Sequence, residues 1–265
     1  MFLFNKKEEK KVSESELERG LKQEEFTFYY QPEFDLKTGK VIAVEALMRW
    51  ETPNRIVPPG EFIPVLEQSG LIRKFTEFLL RQTLTDLRSI HEAGYPDVKM
   101  AINVSAVQLN DKTFVPTIKK ILEETKTEAN LLECEITESH QLVLPEMRET
   151  IFKELNELGI GISIDDFGTG YSSFNYLRYL DANKLKIDCD FVRTLEENPR
   201  NKKILSSIIK LGQDLKIPVL AEGIETTEQK EWLEKNGCSF GQGFWFSRPL
   251  PLEQLNVFLK KNKKN

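Results

Sequence analysis

Six acidic side chains close successive short apolar runs, and this repetition constrains the fold more than any other feature of the chain. Glu45 ends VIAVE, Glu135 ends LLECE, Asp165 and Asp166 end GISIDD, Asp188 ends KLKID and Glu222 ends IPVLAE. Asn103 takes the same place in KMAINVS, and Lys186 lies inside its own run. A single carboxylate at a strand end is explained by solvation; several in succession imply convergence on one point. A parallel barrel produces that convergence, because all its strands deliver their C-terminal ends to one face. Carboxylates gathered there repel one another unless cations neutralise them, so the pattern implies a metal-dependent hydrolytic site.

The rest of the chain supports a barrel. SESE at Ser13 matches a capping box, and a helix carrying Leu17 and Leu21 on one face follows. FTFYYQPEF and VIAVEALMRW read as strands joined at Gly39, close enough in sequence to pair as an antiparallel hairpin. Helical patterning runs through FIPVLEQSG and from Leu71 to Ala93. Strand and helix then alternate. KMAINVS precedes a helix over 114–125, LLECEIT a helix over 146–158, and GISIDDF a short helix over 172–179. KLKID precedes a helix over 200–216 and PVLAEG a helix over 227–235, before FGQGFWFS and a final helical PLEQLNVFLKK. About eight strands with helices between them make a (β/α)8 barrel. An open doubly wound sheet would carry a glycine-rich turn after its first strand, and YYQPEF has none. We expect one barrel domain over 21–260, a charged segment and helix over 1–20, and a basic tail over 261–265.

Charge limits the partners. With 265 residues and a net charge of -5, the chain has no global basic field to hold a nucleic-acid polymer. A small anionic ligand remains compatible, since bound cations reverse the local sign. Three widely spaced cysteines without a CxxC pair fit a reduced, cytoplasmic protein. The opening MFLFNKKEEKK is too short in apolar residues for a spanning helix, so no membrane segment is expected.

Each candidate residue has a functional reading and a plainer one. Asp165 and Asp166 are adjacent, and strand neighbours point to opposite faces, so both serve one site only where the strand ends. FGTG supplies glycines for such a turn, although a DD pair before glycine also suits a solvated turn. In a two-cation site one Asp bridges the ions while its neighbour binds or orients one of them. Asn103 offers an uncharged oxygen ligand, or simply makes a turn. Oxygen-only donors favour Mg2+ or Mn2+ over zinc. Lys186 can hold an attacking water or stabilise phosphate charge; a structural ion pair is the alternative. Glu222 and Glu225 flank Gly223, where Glu225 can equally cap a helix. Arg49 can grip phosphate through its planar fork, or lie on the surface. His91 and His140 have no partner pattern and read as structural.

With those residues in view, the chain resembles the EAL-domain family of bacterial cyclic di-GMP phosphodiesterases. The namesake motif stands as EALMRW at residues 45–50, and YYQPEFDL, FIPVLEQSGLI, AINVSAVQL, ECEITES, IDDFGTGYSSFNYL, LKID, AEGIETTEQ and QGFWFSRPLP follow the family's order over about 26–252. The resemblance implies a modified TIM barrel with one antiparallel strand and hydrolysis of cyclic di-GMP to linear pGpG. By position, Glu45, Asn103, Glu135 and Asp165 look like ligands of one metal, and Asp165, Asp166 and Glu222 like surroundings of a second. Lys186 resembles the lysine that holds the catalytic water. Glu225 and Gln242 match positions supporting the site, and Glu138 resembles the anchor of the loop containing Gly168 and Gly170. Gln31, Arg49, Arg248 and Pro249 look like substrate contacts, with Gln242 grouped among them. The family also implies dimerisation through the DDFGTG segment. Asp181, Ala182, Asn183, Asp190 and Trp245 depart from the usual pattern at non-ligand positions. The alternative is an EAL-type effector that binds cyclic di-GMP or a protein without useful turnover. The absence of any lost ligand position argues against it.

Overall fold

Phe26–Asp35 (β1) and Val41–Glu51 (β2) pair antiparallel along almost their whole length, with Gln31 opposite Glu45. This is the expected hairpin, in a computed structural model that describes residues 12–137, 145–168, 177, 181–195 and 197–262. From β2 onward the sheet is parallel: β2 pairs with Lys99–Asn103 (β4), then Leu132–Thr137 (β5), Gly161–Phe167 (β6), Lys184–Ile187 (β7), Val219–Ala221 (β8) and Phe240–Gly241 (β9). The ring closes where β9 pairs antiparallel with β1. The result is an eight-stranded TIM-like barrel with β1 antiparallel to both neighbours. Two two-residue strands, Ile56–Val57 (β3) and Leu250–Pro251 (β10), sit on the edges of β2 and β1.

Strand alternation sorts the residues. Outward positions are apolar: Val44, Ala46 and Met48 on β2, Met100 and Ile102 on β4, Cys134 and Ile136 on β5, Ile162 and Ile164 on β6, Leu185 and Ile187 on β7. They pack beneath the helices in one continuous core. Positions two apart on the inward face carry the charges, a consequence of the two-residue side-chain period. Leucine and phenylalanine on the helices Ile72–Glu92 and Phe114–Thr125 complete the core at helical spacing.

The expected helices match closely. Ser13 caps Glu14–Lys22 in a full capping box with Glu16, and that helix buries Leu17 while crossing the 20/21 boundary. Pro59–Ser69, Pro145–Leu158, Pro199–Leu215, Thr227–Lys235 and Leu252–Asn262 are likewise helical. The short helix over 172–179 lies outside the described residues apart from 177. Short helices Ala106–Leu109 and Cys189–Arg193 were not expected. All three cysteines are free. His91 donates from Nε2 to the Val98 carbonyl at 2.9 Å, the structural role expected of it, whereas His140 lies outside the described residues.

Candidate active site

Lys186 stands at the centre of the inward face, fully buried on β7. Its Nζ lies 2.8 Å from Glu135 Oε1 and 2.8 Å from Glu222 Oε1, with Glu45 Oε2 at 3.5 Å and Asp165 Oδ1 at 3.7 Å. Five strands meet here, because β2, β5, β6, β7 and the end of β8 each deliver one of these side chains. Glu45, Glu135, Asp165 and Glu222 therefore converge on Lys186, while Asp188 accepts from the Asp190 N–H to cap the helix Cys189–Arg193 and its carboxyl also meets Asp166.

Glu45 is fixed from both sides: Asn103 Nδ2 donates to Oε1 at 2.9 Å, and Gln242 Nε2 donates to Oε2 at 2.8 Å. Burial raises its pKa, but Lys186 and these two donors outweigh burial, so its carboxyl titrates below the usual range. Glu135 behaves oppositely. Buried and close to Glu45 and Asp165, it is pushed well above its ordinary value despite Lys186. Burial likewise pushes Glu222 up to about 8, against the pull of Lys186 and with the charges of Asp165 and Glu45 adding to it.

Asp165 and Asp166 both reach this region because the strand breaks its pleat between them. The β6–β7 register shifts between Ile164 and Phe167, and Asp166 takes a left-handed φ of 54°. The turn continues through Gly168, whose φ of +100° suits a residue without Cβ. Asp166 is half-buried, and burial together with Asp165 and Asp188 pushes its pKa up to about 6. Oxygens of Asp165, Asp166 and Glu222 lie within 4.8 Å of one another.

These residues fit hard divalent cations. The donors are all oxygens, and four carboxylates share one ammonium, with Asp166 beside Asp165 and Glu222. Both oxygens of Glu135 are buried without a hydrogen-bond donor, so its 2.8 Å approach to Lys186 is an ion pair of poor directionality. A buried carboxylate left in that state is costly unless further positive charge faces it.

Beside the carboxylates lies a cavity of ≈ 590 Å³ that Glu45, Asn103 and Asp166 edge, and that Leu47, Ile63 and Phe75 help to wall. A second cavity of ≈ 550 Å³, between the helix Glu14–Lys22 and the β2–β3 turn, shares no lining residue with the site. Arg49 shares the inward side of β2 with Glu45 and Leu47, 5.6 Å above the Tyr29 ring, where burial lowers its pKa. Gln31 Nε2 donates to the Ser247 carbonyl at 3.2 Å, tying β1 to the segment holding Arg248 and Pro249. Arg248 stacks on Phe244 at 4.0 Å. Gln242 is buried against Glu45, whereas Glu225 is exposed, its N–H donating to Gln229 Oε1. Glu138 and Gly170 lie outside the described residues.

A second set of buried charges, not expected from the sequence, lies on the same inward faces. Lys184, two residues before Lys186, contacts Glu33 Oε2 at 2.5 Å and Glu133 Oε1 at 2.6 Å, and Ser163 Oγ donates to Glu133. The signal was present as charge alternation in ECE and KLK.

Comparison with known proteins agrees with this geometry. The model of the EAL domain matches residues 14–249. The chain is 40% identical over 256 residues to signaling protein YkoW of Bacillus subtilis, covering 96% of this chain and 32% of that protein. It is 38% identical over 248 residues to cyclic di-GMP phosphodiesterase NbdA of Pseudomonas aeruginosa, covering 93% of this chain and 32% of that one. The chain thus spans about a third of the length of these relatives. Among solved structures, the PaMucR phosphodiesterase in complex with c-di-GMP superposes with a TM-score of 0.86 at 38% identity, covering 91% of this chain and 98% of that one. An EAL domain protein from Listeria monocytogenes gives 0.81 at 30% identity, covering 93% and 97%.

Proposed function

The chain belongs to the EAL domain family, and on that premise we propose that it hydrolyses one phosphodiester bond of cyclic di-GMP to linear pGpG, using two Mg2+ or Mn2+ ions. The observation that carries this reading is the convergence of Glu45, Glu135, Asp165 and Glu222 on Lys186, with Asn103 bonded to Glu45 and Asp166 beside Asp165 and Glu222. Glu45, Asn103, Glu135 and Asp165 would hold one cation; Asp165, Asp166 and Glu222 would hold the other. When bound, the cations supply an activated water and neutralise charge that develops on the phosphate oxygens.

The chain's own residues do the rest. Lys186, fully buried, keeps a fixed ammonium at the carboxylates, holds the attacking water by a proton it donates, and adds positive charge beside the phosphate. Asn103 and Gln242 hold Glu45 in one orientation, so the ligand needs no reordering when a cation arrives. Arg49 and Gln31, with Arg248 and Pro249, face the substrate, and Gln242 joins them from below. Glu225 steadies the loop after β8, and Gly168 supports the turn after β6. A cytoplasmic homodimer is part of the same reading, and no described helix is long and apolar enough to cross a membrane.

The test is chromatographic. Purified protein incubated with cyclic di-GMP and Mn2+ should yield pGpG, and EDTA should abolish it. Intact cyclic di-GMP after incubation with either cation would overturn the proposal.

A further inference from the structure

Barrel interiors of this type are normally filled by layers of branched apolar side chains. Here the layer below Lys186 is ionic: Glu33 from β1, Lys184 from β7, Glu133 and Ser163 from β5 and β6, all buried. Replacing such buried pairs with well-packed apolar residues is often neutral or favourable for stability, so stability alone does not account for the layer. Its charges do not cancel either when both carboxylates are ionised, because two carboxylates face one ammonium; burial raises the Glu33 carboxyl above its ordinary value while Lys184 pulls it down. Lys184 contacts one oxygen of Glu33, and the other, Oε1, is buried without a hydrogen-bond donor.

That surplus lies under the site. Glu133 and Lys184 are two residues below Glu135 and Lys186 on the same inward faces, and oxygens of Glu33, Glu133 and Glu135 lie within 4.8 Å of one another. In an interior with an effective dielectric of about 20, a unit charge at this range still acts strongly on a divalent ion. We propose that Glu33, Lys184 and Glu133 form a positioning layer whose surplus negative charge strengthens divalent-cation binding by Glu45, Glu135, Asp165 and Glu222. The layer touches neither cation nor substrate; it acts through the carboxylates above it. This inference rests on the cation-binding part of the proposed function.

The experiment is calorimetric titration of Mn2+ alone into the full chain, with folding checked by circular dichroism. E33Q removes the surplus charge with little change in shape and should weaken Mn2+ binding by about tenfold. E133Q removes a charge from the same layer and should weaken it similarly, which keeps the test open if one variant fails to fold. The double variant E33Q/K184M carries the original charge with different side chains and should return to within about threefold of wild type, which a purely structural role would not produce. Folded E33Q and E133Q with wild-type Mn2+ affinity would overturn the inference. So would a double variant as weak as E33Q. Wild-type protein that binds Mn2+ yet leaves cyclic di-GMP intact would overturn the proposed activity and leave this inference standing. Wild type that binds no Mn2+ would overturn both.

Discussion

Lys184 and Lys186 occupy the same face of one strand, two residues apart, and both are buried among carboxylates, yet their surroundings differ. Lys184 is closed in. It contacts two carboxylates at 2.5 and 2.6 Å, one of them also held by Ser163. Lys186 faces four, two of them only at 3.5 and 3.7 Å, and Glu135 beside it lacks any directed donor. Lys184 is held by short contacts within its own layer, below the open end of the barrel. A buried ammonium outnumbered by carboxylates at the open end of a barrel is a place for further positive charge.

The largest expected effect falls on the upper layer alone. Glu45→Ala removes a ligand and should lower pGpG production by about a thousandfold, with an unchanged circular dichroism spectrum. Wild-type turnover in that variant would erase the distinction between the layers. Lys184→Ala should act in the opposite way. It leaves two buried carboxylates unpaired and should lower unfolding free energy by about 3 to 5 kcal/mol in urea titration. Lys186→Ala should reduce turnover by about a hundredfold while cyclic di-GMP binding, followed by calorimetry, stays near wild type. Lost binding with unchanged turnover of bound substrate would refute its water-holding role. Gln242→Ala, which frees one oxygen of Glu45, should weaken Mn2+ binding by about tenfold in the same titration.

The smallest effect sharpens the comparison through pH. In the cation-free protein Asp166 titrates at about 6 rather than 3.8, and Glu222 at about 8 rather than 4.5. Raised folded values mean the fold keeps protons that the unfolded chain has released. These two groups therefore cost stability progressively as pH rises from about 4 to about 8. Glu45 and Glu133, with lowered values, contribute in the opposite sense below their ordinary 4.5. Divalent cations compete with the protons on Asp166 and Glu222, so Mn2+ should raise the melting temperature more at pH 8 than at pH 6. An equal shift at both pH values would show that these carboxyls do not hold the ions.

Much of this architecture was legible in the chain. Apolar runs ending in carboxylates give strands whose ends meet, and the closely spaced first two runs give the antiparallel hairpin, because period-two patterning and turn spacing are local properties. The convergence of Glu45, Glu135, Asp165 and Glu222 on Lys186 followed from that topology. The helix Ala106–Leu109 was not expected, although Ser105 and Gln108 form a capping box that mirrors the one at Ser13. The lower layer was harder. ECE and KLK show alternating charge, but Glu33 lies 151 positions from Lys184, and only barrel closure brings them together. The two-residue strands β3, β9 and β10 carry too few side chains to show a period. Asn183, a departure from the family's usual residue, proved to brace β6 through a hydrogen bond from the Ile162 N–H at 2.8 Å.

The most direct test of the central claim separates binding from chemistry in one sample. Wild-type protein freed of metal with EDTA is loaded with cyclic di-GMP, then given excess Mn2+, and nucleotides are followed by chromatography. No pGpG should form before the cation is added, conversion should follow promptly afterwards, and Glu45→Ala should give none under the same sequence of additions. Product appearing in EDTA, or equal conversion by the Glu45 variant, would show that the chemistry does not reside in the open layer around Lys186.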